Sequence, residues 1–259
     1  MRNIKFMQVL GLILLFSLNL EAQSLEKALG DDLRSQSNQE RDIYRHPYET
    51  LSFFGITPEM TVVELSPGSG WYTEILASYL GDSGKLIAAA YDASEGSYQK
   101  RSRENYENKL SSDIKYSKVE VVNLGEALAQ QGTVDAVLTF RNLHNWLGPF
   151  METLFSQSFD ALKSGGVFGV VEHRANPGTS LEIMKKSGYV TEELAIKKAE
   201  EAGFFLVQSS EINANSKDVK DYEKGVWTLP PSLRLKDENR AKYLGIGESD
   251  RMTLLFKKP

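Results

Sequence analysis

Residues 61–259 predict a doubly wound α/β domain, a mostly parallel sheet with helices on both faces. Three observations lead there. An apolar run, Thr61-Val62-Val63-Glu64-Leu65, passes through a tight Gly68-x-Gly70 turn straight into a helical pattern at 72–80. Strand-like and helical patterns then alternate along most of the chain, the order that lays helices across a parallel sheet. Two further strand-like runs, 204–209 and 251–256, close it. There are no internal repeats and no low-complexity segment.

Taken in order, residues 24–38 are polar with scattered leucines and read as a flexible or weakly helical lead-in. Residues 40–54 carry Ile43, Tyr44, Leu51 and Phe54 at helical spacing, and Pro47, which lacks a backbone N–H, splits that helix in two. Together, 23–60 form a lead-in and helical cap. Gly55-Ile56-Thr57-Pro58 turns the chain into the first strand, 61–65, which the 72–80 helix follows. The second strand is 85–90. The helix at 97–110 is strongly charged and belongs on the surface. The third strand is 119–122. The fourth, 134–139, is apolar almost throughout, as a central parallel strand is. A helix at 149–162 leads through Lys163-Ser164-Gly165-Gly166 to the fifth strand, 167–172. A helix at 191–202, ended by Gly203, precedes the sixth. The connection 212–250 exceeds the roughly 15 residues usual for a structureless loop. It holds Trp227, Leu229, Pro230, Pro231 and Leu233, too apolar for disorder. It reads as a substrate cover or as a structural flap.

The chain has 259 residues, 41% hydrophobic and 25% charged, enough for one sizeable core. It contains no cysteine, which excludes disulfides, thiolate metal sites and a cysteine nucleophile. Arg2 and Lys5 precede an uncharged apolar run, 6–20, that ends in Leu20-Glu21-Ala22-Gln23-Ser24. That is the layout of a signal peptide (1–22) cleaved after Ala22, predicting a periplasmic or secreted protein. The run is short of the roughly 20 residues that span a bilayer, so an uncleaved membrane anchor is the alternative. Cleavage would remove Arg2, Lys5 and Glu21 and change the net charge from −5 to −6. An acidic surface is a poor match for a phosphate backbone, so nucleic acid is not expected as a partner.

Glu64, four residues before the Gly68-Ser69-Gly70 turn, resembles motif I of the class I S-adenosylmethionine (SAM) methyltransferases. A glycine three positions after Gly70, which a dinucleotide fingerprint requires, is missing, and this disfavours a nicotinamide oxidoreductase. Three strings extend the resemblance to an exported subgroup of predicted methyltransferases: Glu-Leu-x-Pro-Gly-x-Gly-Trp-Tyr-Thr-Glu at 64–74, Phe-Arg-Asn-x-His-Asn-Trp at 140–146, and Lys-Gly-Val-Trp-Thr-Leu-Pro-Pro at 224–231. It covers residues 40–259. It implies a Rossmann-like sheet of seven strands, the last inserted antiparallel, with SAM as cofactor and a small-molecule acceptor that it does not name. Glu64, Gly68 and Gly70 would lie against the cofactor. Asp92 stands where the family places an acid for the ribose hydroxyls, although an Asp there also suits a helix cap. Asn123-Leu124-Gly125-Glu126 occupies the adenine segment.

The densest chemistry is Thr139-Phe140-Arg141-Asn142-Leu143-His144-Asn145-Trp146, directly after the fourth strand, where doubly wound sheets bind ligands. His144 is the candidate general base, with Asn142 and Arg141 as candidates to orient an acceptor or hold its anionic group. Glu172-His173-Arg174 ends the fifth strand at the same edge, and His173 and Arg174 either face the crevice or seal the next helix. His46 lies in the cap. The three histidines match no metal motif, and no metal is expected. Because SAM is a charged cytosolic metabolite, export leaves a second reading, a non-catalytic binding protein on this fold.

Overall fold

The computed structural model describes residues 24–81 and 83–259. The signal-peptide assignment therefore lies outside the described residues. Seven strands form one sheet: β1 (Thr61–Leu65), β2 (Lys85–Ala90), β3 (Glu120–Asn123), β4 (Val134–Phe140), β5 (Leu162–His173), β6 (Phe205–Ser210) and β7 (Arg251–Lys257), in the order β3-β2-β1-β4-β5-β7-β6. The pairs among β1 to β5 are parallel, and β7 runs antiparallel to both β5 and β6.

Alternation along the central strands sends neighbouring side chains to opposite faces. On β1, Val63 and Leu65 enter one core with Phe155, Phe168 and Phe204, while Val62 enters the other with Trp71, Ile75 and Leu76. Helices α7 (Pro149–Ala161) and α9 (Glu192–Glu201) cover the first face. Helix α5 (Trp71–Leu80) covers the second. Every residue of α5 is buried, because the chain segment before β1 covers its outer side. Glu64 shares the face of Val62, so its carboxylate is aimed under α5.

That N-terminal segment is more ordered than its polarity suggests. Helices α1 (Leu25–Leu29) and α2 (Gln36–Gln39) replace the flexible lead-in, with Leu25, Ala28 and Arg34 buried. Arg34 pairs with Asp42, and the guanidiniums of Arg34 and Arg45 lie 5.1 and 4.6 Å from the Trp71 ring centroid. A tryptophan contacted by two cations pins the cap to α5. The cap helix breaks where expected, into α3 (Asp42–Arg45) and α4 (Pro47–Phe53), with His46 left-handed between them at φ 40°.

Three elements depart from the sequence reading. β5 begins five residues early, because the 163–166 turn is absorbed into the strand. Helix α8 (Leu181–Ser187) was not expected, since its apolar Leu181 and Ile183 face solvent and blur the helical pattern. The long connection contains a 3₁₀ turn, Gly225–Thr228, and helix α10 (Arg240–Ile246). Helix α6 (Ser97–Leu110) matches, with only Tyr106 buried. No helix among the described residues is long and apolar enough to cross a membrane.

Candidate active site

Beyond β1 the backbone turns left-handed three times, at Ser66 (φ 49°), Gly68 (φ 59°) and Gly70 (φ 78°). For a serine that conformation costs on the order of 1 kcal/mol. A Cβ built at Gly68 would meet nothing within 4 Å, so the backbone there is open to a ligand. At Gly70 it would meet the Lys109 side chain 2.8 Å away. Beneath the turn, Thr73 on the first turn of α5 donates to Glu64 at 2.6 Å and lies 3.1 Å from the Tyr106 hydroxyl. Burial pushes the Glu64 carboxyl up to about 7, against the opposing pull of the Thr73 bond and Lys109. Glu64 therefore braces the turn from below.

Asp92 lies two residues past β2 and accepts the Ser94 N–H at 2.8 Å, which lowers its pKa. It does not cap α6, whose N-cap is Gly96. Ser66, Gly68, Tyr91 and Tyr106 line a small cleft of about 170 Å³ beside it. Asn123, in the adenine segment, accepts from Arg103 at 2.9 Å.

The polar segment after β4 is organised by a residue that the sequence reading gave no role. Glu172, fully buried at the end of β5, accepts the Leu143 N–H at 2.5 Å and the His173 N–H at 2.7 Å, and lies 3.0 Å from His144 Nδ1. An ionised carboxylate only accepts, so the proton of neutral His144 is assigned to Nδ1 and Nε2 keeps its lone pair. The signal was a lone acid closing the apolar run Val167 to Val171. Asn142 is placed differently from its expected role. Its amide donates to Leu65 O, Ser66 O and Thr139 Oγ1 at 3.1, 3.3 and 3.2 Å, tying the glycine turn to β4.

Arg141 is left-handed (φ 63°), a second strained non-glycine at the adjacent strand end. With His144, His173, Trp227, Pro230 and Glu248 it lines a cleft of about 540 Å³. The Trp227 ring centroid is 5.9 Å from that of His144. The two segments expected to enclose an acceptor, 141–146 and 227–233, thus both supply walls. Burial holds His173 well below the usual histidine range, helped by the cations Arg141, Arg251 and Arg45. Its Nδ1 lies 2.5 Å from Ser249 Oγ. Arg174 turns away. It bonds Asp250, Glu192 and Glu211 and lines a separate cleft, so of His173 and Arg174 only His173 joins His144.

His144, Glu172 and His173 each bring a ligand atom within 4.8 Å of the others, a grouping that the spacing of the sequence did not reveal. His46 is not in it. The donors suit an orienting network better than a cation, since Glu172 is already engaged by three nitrogen groups and arginines surround His173.

Sheet order and site position together define the fold of the class I SAM-dependent methyltransferases. Solved structures agree. A SAM-dependent methyltransferase from Aquifex aeolicus is 18% identical, with 73% of this chain and 93% of that one covered at a TM-score of 0.55. Geranyl diphosphate C-methyltransferase from Streptomyces coelicolor A3(2), in complex with Mg²⁺, geranyl diphosphate and S-adenosyl-L-homocysteine, is 14% identical, covering 90% and 87% at 0.58. The [4+2]-cyclase SpnF is also 14% identical, covering 88% and 85% at 0.58. At these identities the likeness is one of fold, and it includes a protein named for a different reaction. No family model matches the sequence, and no curated protein matches it.

Proposed function

We propose that this protein is a SAM-dependent methyltransferase acting on a small-molecule acceptor. One observation carries the reading. Asn142 hydrogen-bonds the glycine turn at the end of β1, while His144, two residues on, lines the 540 Å³ cleft at the ends of β4 and β5. A cofactor turn and an acceptor cleft are thereby fixed to each other by one short segment, and fixed alignment is what methyl transfer most needs. SAM, when bound, supplies a sulfonium methyl group open to direct displacement. Gly68 offers open backbone to it, Gly70 carries the left-handed turn into α5, Glu64 braces that backbone, and Asp92 would take the ribose hydroxyls. His144 Nε2, oriented by Glu172, takes the proton from the attacking oxygen or nitrogen of the acceptor.

Calorimetry with SAM and S-adenosylhomocysteine tests the cofactor, with NAD(H) as the competing ligand. An untargeted screen with labelled SAM tests for methylated products. His144→Ala should lower turnover about 100-fold and leave SAM affinity within a few-fold, because a base acts on the acceptor. No binding at millimolar SAM rejects the reading, and loss of SAM affinity in His144→Ala rejects the base assignment. The leader-like N-terminus motivates a companion proposal, that the enzyme works after export with SAM supplied across the membrane.

A further inference from the structure

The mechanism above leaves a group of charges unused. Arg41, Arg45, Arg141 and Arg251 all contact Glu248, at 2.7, 3.3, 3.8 and 3.2 Å. They come from the cap, the end of β4 and the start of β7, and four cations surround one carboxylate. Asp250, the next acid along the chain, offsets Arg251 in part but is itself engaged by Arg174 and Lys220. Arg45 and Arg251 are 2% and 3% exposed, and the buried Arg45 Nη1 has no hydrogen-bond partner among the described residues. Uncompensated buried charge is costly, so proteins keep it where a ligand supplies the missing counter-charge.

Arg141 is the member that reaches the cleft. Its side chain is 23% exposed, makes no side-chain hydrogen bond among the described residues, and is held in a backbone conformation that a serviceable structural arginine would not need. A guanidinium with its planar donors unoccupied matches carboxylate and phosphate oxygens. His173 and Ser249 add neutral polar groups to the same wall.

We propose that this cleft is an anion site and that the methyl acceptor enters it through a carboxylate or phosphate group bound by Arg141. The acceptor half of this statement rests on the methyltransferase reading, whereas the anion site itself does not. Burial and the neighbouring Arg251 and Arg41 pull Arg141 down to about 10, which still leaves it charged at neutral pH. Burial, with the same cationic neighbours, keeps His173 uncharged, so Arg141 is the cation that lines the cleft and Arg45, Arg41 and Arg251 stand behind it on Glu248.

Inorganic phosphate is the probe, with sodium chloride at matched ionic strength as the control for general salt effects. In wild type, millimolar phosphate should raise Tm by at least about 3 °C. Arg141→Gln should lose that shift while its Tm without phosphate is no lower than wild type, because one like charge has been removed. A purely structural arginine would do the reverse and lower the Tm. Arg41→Gln should halve the shift or more, and serves if Arg141→Gln fails to fold. No phosphate-specific shift in wild type, or an undiminished one in Arg141→Gln, overturns the site. Titrating S-adenosylhomocysteine with phosphate present separates the two sources of a carboxylate. Simultaneous binding assigns the anion to the acceptor. Mutual exclusion assigns it to the cofactor's own carboxylate and overturns the acceptor claim. Phosphate binding without any S-adenosylhomocysteine binding rejects the methyltransferase reading and the acceptor claim, and leaves the anion site standing.

Discussion

At the scale of single residues, buried acids do most of the organising. Glu64, Glu172 and Glu248 each sit within 4% of full burial, and each holds together two pieces of chain that ligands would have to meet. Glu64 gives the clearest pH signature. Its carboxyl titrates near 7 in the folded protein against an ordinary value near 4.5. A raised carboxyl favours the folded state while it is protonated, so this contribution is full below about 4.5 and is lost as pH rises through 7. The difference is on the order of 3 kcal/mol. His173 works the other way in the lower part of that window, so the comparison must be made against a variant. Glu64→Gln mimics the protonated acid and keeps an acceptor for Thr73. Denaturant unfolding at pH 5.5 and 8 should show the variant gaining on wild type at the higher pH. An identical pH dependence in both proteins would mean that Glu64 is ionised throughout.

At the scale of elements, the long connection between β6 and β7 is anchored rather than loose. Gly225 is left-handed (φ 54°), and a Cβ there would overlap the Ser187 backbone at the end of α8. A Cβ built at Gly188, in turn, would meet Val226 at 2.7 Å and Trp227 at 3.0 Å. Gly225→Ala should therefore cost a few kcal/mol locally and lift Trp227 and Pro230 from the cleft. Limited proteolysis should show new cutting within 212–250, with S-adenosylhomocysteine affinity unchanged. Gly178→Ala, where φ is also positive but nothing lies within 4 Å, is the control that should leave the digestion pattern as it is.

The same elements show what the sequence discloses and what it hides. Strands β1, β2 and β4, helix α6 and the glycine turn were legible because burial on both faces or a charged helix surface writes a local pattern. The placement of Arg141 and His144 followed from one topological rule about strand ends. Glu172, Glu248 and Arg45 were not legible as a set. Their meaning lies in contacts distant in sequence, 28 positions for Glu172 and His144 and 203 for Arg45 and Glu248, which no window of periodicity spans. Asn142 was identified as important, but its amide bonds backbone of a neighbouring strand, and sequence does not say which way a side chain turns.

For the molecule as a whole, the N-terminal leader bears on where it works. The leader motif predicts a mature N-terminus at Gln23, beside the first described helix, whose Leu25 and Ala28 are buried against the rest of the protein. Cleavage after Ala22 would leave in place the contacts that this helix makes with the other described residues. Mass spectrometry of the protein purified from its own cells should return a chain starting at Gln23. A chain beginning at Met1 would withdraw the export proposal and make the cytosolic supply of SAM sufficient.

The arginine cluster has a consequence for the order in which the protein comes into being. Arg41 and Glu248 are separated by 207 positions, and Arg141 lies between them. During synthesis or translocation three of the four cations, Arg41, Arg45 and Arg141, emerge before Glu248, which comes among the last of the residues that build the cleft. An incomplete chain thus carries a cap that can pack on α5 through Leu51, Phe54 and Trp71 while Arg41, Arg45 and Arg141 still lack Glu248. Neutralisation of the first segment is timed by arrival of the last. The ligand site is consequently a checkpoint on completeness: any chain able to bind has already closed its sheet.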